Sequence, residues 1–265
     1  MENLIENQKN PMYISFCTQK GGAGKSVFTI LAASYLHYRM GYRVAVIDCD
    51  FPQWSIQKMR EREINVINTN NHYKKKAYEF FTKSGIKAYW VIPSKPETAL
   101  ADAKKFLEET DKQYDLVLFD LPGTVNNRDV VNIYVNMDYL FVPLSVSRIN
   151  LESTLLFVSN INAVLQNNTS GIRLQHVYTF WNRMVANVKK ELYDAYDNAI
   201  RELEISIMQT RIPQSVRYDR EQSISSAEAV FLSTFFVPDK PLLNGSNWEE
   251  FMAEFLELTN LSKLE

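Results

Sequence analysis

Residues 12–26 read MYISFCTQKGGAGKS, an apolar run rich in β-forming residues that passes directly into a glycine cluster. The whole chain has only eight glycines, and three of them, Gly21, Gly22 and Gly24, lie within four positions. A sequence this poor in glycine uses them where the backbone geometry requires them. Since a helical pattern follows at once, the stretch predicts a strand, a tight loop and the N-terminus of a helix.

This glycine cluster is typical of a phosphate-binding loop, because the free N–H groups and the dipole of a helix N-terminus attract phosphate. Lys25 can reach the β- and γ-phosphate oxygens of a nucleotide, and the Ser26 hydroxyl can bind Mg²⁺. The generic pattern G-x-x-x-x-G-K-[ST] would need a glycine at Gln19, and a second lysine, Lys20, follows it. We therefore predict that the loop binds ATP with magnesium, and we expect the chain to hydrolyse ATP. The predicted ATP contacts here are Lys20, Gly21, Gly22, Ala23, Gly24, Lys25, Ser26 and Val27.

The rest of the chain alternates strand-like and helical patterns. Strands that read as unbroken apolar runs are covered on both faces, which is typical of a parallel sheet between helices. We predict an α/β fold with a doubly wound, mostly parallel sheet and helices on both faces. Strands are predicted at 12–17, 43–48, 88–92, 114–120, 139–144 and 172–180, and helices at 26–40, 96–110, 129–136, 151–165 and 188–203. No glycine- or serine-rich linker divides the chain, so we expect a loose tail over 1–11 and one domain over 12–265.

Three acidic residues follow predicted strands. Asp48 and Asp50 end the second strand, and Asp120 ends the strand at 114–120. A single acid in this position is more often a cap or a turn residue. In an open parallel sheet, however, the carboxyl ends of the strands line the ligand crevice, so all three acids should face the phosphates. One carboxylate could hold Mg²⁺, and another could orient an attacking water.

Bulk composition favours a soluble cytoplasmic protein without a membrane span. The net charge is −2 over 265 residues, and no run of about 18 apolar residues is present. The start of the chain is polar and acidic, unlike a secretory leader. Cys17 and Cys49 both lie in apolar runs, so we expect buried, reduced thiols.

The loop K-G-G-x-G-K-S resembles that of the ParA/MinD family of ATPases, which are P-loop NTPases with a deviant Walker A motif. Residues 46–53 are similar to the family's D-x-D-P-Q segment, and residues 115–123 to its magnesium-site strand and D-x-P turn. Residues 211–217 resemble the I-P-R-x-V-R stretch of plasmid and chromosome partition ATPases. The resemblance is therefore closest to the ParA type.

The resemblance implies a homodimer that closes around two ATP molecules. Lys20 of each subunit would then reach the phosphates held by the other and stabilise the charge that develops on transfer. Asp50 would position the attacking water, and Asp48 would support the metal indirectly. The catalytic residues implied in this way are Lys20, Lys25 and Asp50, and those at the metal are Ser26, Asp48 and Asp120.

Three further positions bear on the predicted site. Asn182 resembles the family's adenine-contacting asparagine, with an ordinary loop residue as an equal alternative, and Pro213 is included among the predicted ATP contacts. Phe51 stands between Asp50 and Pro52, where the family usually has no residue, and could alter the loop that positions Asp50.

Partition ATPases of this kind bind DNA without sequence preference after ATP has closed the dimer, which requires several Lys or Arg side chains on one face. Their weak hydrolysis is stimulated by a ParB-like or adaptor protein. Residues 170–225 hold eight basic and seven acidic residues, so the sequence alone shows a mixed surface. The nucleoid is a candidate location within the cytoplasm. The candidate DNA contacts are Arg173, Arg183, Lys189, Lys190, Arg211, Arg217 and Arg220.

Two other functions remain open. One is a regulatory ATPase of the same fold that acts in conjugative transfer, secretion or envelope assembly without DNA as its track. The other is an ATP-dependent metabolic enzyme such as a ligase, for which the sequence identifies no substrate pocket. A membrane-surface role is disfavoured, because the amphipathic helix predicted from Trp248 onward has an acidic polar face. We expect that helix to dock on the domain.

Overall fold

A parallel β-sheet organises the computed structural model of the chain, which describes residues 10–19, 22–123, 128–167, 171–185, 189–214, 233–237 and 243–263. Its strands within these residues are β1 (Met12–Phe16), β2 (Val44–Asp48), β3 (Trp90–Pro93), β4 (Leu116–Asp120), β5 (Tyr139–Leu144), β6 (His176–Trp181) and β7 (Ser206–Ile207). Their order across the sheet is β3-β2-β4-β1-β5-β6-β7, and all neighbours are parallel. The predicted α/β fold with a parallel sheet is therefore confirmed.

Helices connect these strands. The described helices are α1 (Lys25–Ser34), which continues as a π-helix over Tyr35–Arg39, α2 (Ser55–Thr69), α3 (Asn71–Ser84), α4 (Ala99–Glu109), α5 (Arg128–Val135), α6 (Arg148–Asn167), α7 (Lys190–Glu202) and α8 (Trp248–Thr259). No helix in the described ranges has both the length and the apolarity needed to cross a bilayer.

Both faces of the sheet are covered, because successive strand residues point to opposite sides. On β4, Leu116 and Leu118 belong to a core that also holds buried residues of α1, α2 and α8. Val117 and Phe119 belong to a second core, formed with α4, α5, α6 and α7. Helices α1 and α8 therefore lie on the same side of the sheet.

The C-terminal helix α8 docks on the domain, as its apolar periodicity predicts. Trp248, Phe251 and Phe255 are at most 2% exposed. The ring of Phe251 lies 5.7 Å from that of Phe28 in α1, and Phe255 stacks on Phe16 of β1 at 6.2 Å. Aromatic contacts of this kind bury large apolar areas. The helix thus packs against both α1 and the sheet.

Two helices, α2 and α3, occupy a stretch to which our sequence prediction assigns no element. Only Ile56 and Glu63 are buried in α2, and only Ala77 in α3. Apolar residues nevertheless recur at helical spacing in both helices and pack on the rest of the domain. They are Ile56, Met59, Val66 and Ile67 on α2, and Tyr73, Ala77, Phe80 and Phe81 on α3. The predicted helix at 96–110 begins later, at Ala99, since Pro96 lies in a turn.

Candidate nucleotide-binding site

The predicted acids meet where β2 and β4 end. These strands are neighbours, and their register aligns Asp48 with Asp120, while Phe16 at the end of β1 is also aligned with Asp120. Both carboxylates are fully buried. The chain leaves β1 directly into the glycine loop, so the loop and the acids share one edge of the sheet.

The phosphate loop requires glycine at two described positions. Gly22 and Gly24 have φ of +75° and +91°, in the left-handed region that side chains other than glycine rarely adopt. A Cβ atom at Gly24 would lie only 3.3 Å from Nδ2 of Asn182. Lys20 and Gly21, both predicted ATP contacts, lie outside the described residues. Lys25 begins α1 and is 9% exposed.

Ser26 and Asp120 form the centre of the site. The Ser26 hydroxyl donates to Oδ2 of Asp120 at 2.6 Å, whereas the buried Oδ1 has no hydrogen-bond partner among the described residues. Burial raises the pKa of Asp120 to about 7; the Ser26 hydrogen bond lowers it, Asp48 raises it, Lys25 lowers it and Asp50 raises it. A buried oxygen without a partner is what a ligand or a metal ion would satisfy.

The donors around Asp120 fit magnesium. Mg²⁺ is usually held by one or two carboxylates together with substrate phosphates and water, rather than by an all-protein cage. The described residues contain no cluster of three or more His, Cys, Asp or Glu side chains that could bind a metal alone. Ser26 and Asp120 would supply the protein's share of such a site.

Asp48 anchors the start of α2. Its Oδ2 accepts the backbone N–H groups of Ile56 at 3.0 Å and Gln57 at 2.9 Å, and its Oδ1 accepts the N–H of Asp50 at 3.4 Å. A carboxylate in the first turn also interacts favourably with the helix dipole. Burial raises the pKa of Asp48, and the backbone hydrogen bonds oppose that shift. Asp48 therefore connects the site to α2.

Asp50 lies in a tight turn after β2. Its carbonyl accepts the N–H groups of Gln53 at 2.7 Å and Trp54 at 2.8 Å, and its Oδ2 lies 3.4 Å from the Ser55 hydroxyl. Phe51, the residue that departs from the family pattern, contacts the Trp54 ring at 5.2 Å between centroids. The turn accommodates Phe51 at the surface and leaves the Asp50 side chain half-buried.

Three of the predicted ATP contacts, Val27, Asn182 and Pro213, line one pocket. Phe28 and Trp248 line it with them. Nδ2 of Asn182 donates to the Ala23 carbonyl at 2.9 Å, so this side chain also holds the phosphate loop. The sequence gives no signal for Trp248 in this pocket, since its spacing in α8 indicates only a buried helix face.

Among the described candidate DNA contacts, Arg173 lies apart from the others, whereas Lys190 and Arg211 line one pocket. Arg173 pairs with Asp138 at 2.6 Å at the amino edge of the sheet, away from the phosphate loop. Arg211 pairs with Asp194 at 2.7 Å and with Asp197 at 2.6 Å. Three others, Arg183, Lys189 and Lys190, are exposed. Arg217 and Arg220 lie outside the described residues.

Comparison with known proteins gives a family match and several similar folds. Residues 12–205 match the family described as ATPase MipZ. A search of curated proteins returns no match. A plasmid partition protein of Borrelia burgdorferi B31, bound to AMPPNP, is 18% identical over 94% of this chain and 99% of that chain, with a TM-score of 0.59.

Two further solved structures have the same fold. Apo McdA of Cyanthece is 15% identical over 93% of this chain and 100% of that chain, with a TM-score of 0.57. Cobyrinic acid a,c-diamide synthase of Mycobacterium smegmatis, with bound ADP and magnesium, is 18% identical over 91% and 96%, with a TM-score of 0.53. At these identities the likeness concerns the fold and not the activity.

Proposed function

This chain belongs to the MipZ family of ATPases, and we propose that it is a ParA-like switch that dimerises on binding ATP, binds DNA without sequence preference and partitions or positions a DNA cargo. A ParB-like or adaptor protein stimulates its weak hydrolysis. The observation that carries the proposal is the 2.6 Å contact between Ser26 and Asp120. It combines a hydroxyl with a buried carboxylate that has one oxygen still unpaired.

The residues at the site have distinct tasks in this proposal. Lys25 and the first N–H groups of α1 bind the phosphates of ATP. Ser26 and Asp120 hold magnesium, which when bound neutralises charge on the β- and γ-phosphates. Asp50 orients the attacking water, and Asp48 fixes α2 behind it. Lys20, assigned from the sequence alone, acts on the phosphates held by a second copy.

Phosphate release from ATP and Mg²⁺ by the purified chain tests the activity. Release without a small-molecule substrate is expected, and it would count against a metabolic ligase. Lys20→Ala should keep ATP binding but lose hydrolysis. Asp50→Ala should accumulate a long-lived ATP-bound dimer. Turnover at the wild-type rate in either variant would refute the role assigned to that residue.

An exposed apolar stripe on α6 supports dimerisation next to the phosphate loop. Ile149 is 75% exposed and Leu156 is 64% exposed, two helical turns apart on one face. In the same helix, Asn150 and Thr154 line a cleft of about 280 Å³ with Gly22 of the loop. A second copy docked on this stripe would therefore lie beside bound phosphates.

The helices α2 and α3 offer a basic surface for DNA. Residues 55–87 contain eight Lys or Arg and three Glu, although the whole chain has a net charge of −2. Six of these basic residues are exposed: Lys58, Arg62, Lys74, Lys75, Lys83 and Lys87. Tyr78 in the same surface is 72% exposed. A cluster of cations on one surface is what binding to the phosphate backbone requires.

A regulatory ATPase that acts in conjugative transfer, secretion or envelope assembly, without DNA as its track, is the second candidate. It is favoured by the ion pairs that occupy Arg173 and Arg211, two of the cations predicted to bind DNA. A gel shift with random-sequence DNA at low salt, with and without ATP, separates the two functions. An ATP-dependent shift supports the partition switch, and its absence supports the second candidate.

A further inference from the structure

The ring of Trp248 forms part of the pocket beside the phosphate loop. The pocket is also lined by Gly24, Val27 and Phe28 of the loop and α1, and by residues at 182–183 and 212–214. Trp248 is 2% exposed, and its ring lies 5.9 Å from that of Phe28. The Trp248 ring is therefore packed in place against α1, the helix that begins with the predicted phosphate contacts Lys25 and Ser26.

Within the described ranges, the indole N–H of Trp248 has no acceptor. Its Nε1 atom is buried and has no hydrogen-bond partner in the part of the chain that the structure describes. Buried polar groups in folded proteins are nearly always paired, because a donor that leaves water without a new acceptor destabilises the fold. Trp181 follows this rule, since its N–H donates to Asp197 at 2.6 Å. Trp248 therefore stands out as a donor available to a ligand.

The pocket is suited to a flat aromatic group but is closed without one. Its walls are mainly apolar side chains, with the Asn182 amide as a polar element. The free space is about 40 Å³, which is less than a purine fills. Arg183 and Gln214, which also line the pocket, are exposed and can move aside when a base enters.

We propose that Trp248 is a base-contacting residue of the nucleotide site and that its indole N–H donates to a ring nitrogen of the adenine. The inference rests on the proposed ATP site. It adds a contact from α8, which lies beyond the residues 12–205 that match the family. Through this contact, ATP binding would also stabilise the docked position of the C-terminal helix.

Calorimetric titration of the full chain with ATP, with three analogues and with tripolyphosphate tests the proposal. The analogues are 1-deaza-, 3-deaza- and 7-deaza-ATP, each of which lacks one ring nitrogen of adenine. Wild type should bind one analogue about fivefold more weakly than ATP. Trp248→Phe should bind ATP about fivefold more weakly, no longer distinguish that analogue, and bind tripolyphosphate as wild type does. Trp90→Phe, which alters an exposed ring on β3, is the matched control.

Two results would overturn the base contact: wild type that binds all three analogues as tightly as ATP, or a Trp248→Phe variant whose ATP affinity is unchanged. The analogue series needs only wild type, so it can overturn the base contact even if the variant does not fold. Tripolyphosphate distinguishes this failure from that of the ATP site. If wild type binds neither tripolyphosphate nor ATP, the proposed ATP site is refuted and the base contact with it.

Discussion

Nδ2 of Asn182 lies 2.9 Å from the carbonyl oxygen of Ala23, across 159 positions of sequence, and ties the end of β6 to the phosphate loop. Oδ1 of the same amide accepts the N–H of Arg183 at 2.8 Å. Both ends of the side chain are therefore occupied within the protein. The Asn182 side chain therefore fixes the position of the loop, whether or not it also contacts the base of a bound nucleotide.

Asn182→Ala should weaken the binding of ATP and of tripolyphosphate alike, each by about fivefold, because the loop loses one buried hydrogen bond. The measurement is calorimetric titration with both ligands. Asn198→Ala, which removes an exposed amide on α7, is the control and should bind both ligands as wild type does. If only ATP affinity falls, Asn182 contacts the base and does not organise the loop.

Gly24→Ala should lower both stability and ATP affinity. Gly24 has φ of +91°, and a new Cβ would lie 3.3 Å from the amide of Asn182. Gly85→Ala isolates the backbone effect, since Gly85 has φ of +65° and its Cβ would meet nothing within 4 Å. Each variant should lose about 1 kcal/mol of unfolding free energy from the strained backbone. Only Gly24→Ala should also lose ATP affinity. If the two variants bind ATP equally well, the Asn182 hydrogen bond to Ala23 does not support ATP binding.

The sequence predicts those parts of the fold whose pattern is local. The strands around Ile14, Val46 and Leu118 are buried apolar runs, and the glycines mark the turn into α1. Contacts made across long sequence separations leave no such pattern, which is why the Asn182 hydrogen bond to the loop and the place of Trp248 in the pocket beside it had to come from the structure. The helices α2 and α3 are a different case, because their apolar residues do recur at helical spacing, as Tyr73, Ala77 and Phe80 do on α3. Both helices could therefore have been predicted from the sequence.

Asp120→Asn should stabilise the ligand-free protein at high pH. Burial raises the pKa of Asp120 from 3.8 to about 7, so between these values the folded state holds a proton that the unfolded state has released. The free energy of unfolding of wild type should therefore fall as the pH rises from about 4 to 7 and then level off. The asparagine variant lacks this titration and should be more stable at pH 8 by on the order of 3 kcal/mol.

Urea unfolding of wild type and Asp120→Asn between pH 4 and 8, without Mg²⁺ or nucleotide, checks this expectation. Asp111→Asn changes an exposed carboxyl group and serves as the control, with a pH profile that should follow wild type. A constant difference between wild type and Asp120→Asn across the range would show that the buried carboxyl group is not the source. The same variant should bind Mg-ATP more weakly, because it removes the proposed carboxylate ligand.

Leu156→Glu should prevent ATP-dependent dimerisation while the monomer still binds ATP. Leu156 is 64% exposed on α6, and a charge there could not be buried against a second copy without a large desolvation cost. Light scattering after gel filtration, with a non-hydrolysable ATP analogue, gives the oligomeric state. Leu203→Glu, at a residue 56% exposed just after α7, is the control. Dimers that form equally in all three proteins would exclude the α6 stripe as the interface.

Reversing the charge of two lysines on α3 should weaken DNA binding and make it less dependent on salt concentration. Lys74 and Lys75 are exposed on the proposed basic surface, and each phosphate contact contributes about 0.9 to the slope of log affinity against log salt concentration. Lys74→Glu with Lys75→Glu should therefore make that slope shallower by about 2. Lys104→Glu with Lys105→Glu on α4 changes the same charge outside this surface; like Lys75, which lies 3.9 Å from Glu79, both lysines are within 4 Å of a glutamate. Fluorescence anisotropy with random-sequence DNA and ATP measures the affinity of each double variant for DNA. An equal loss of affinity in both would show that net charge is responsible. A loss confined to the α3 variant would identify α2 and α3 as the surface that binds DNA.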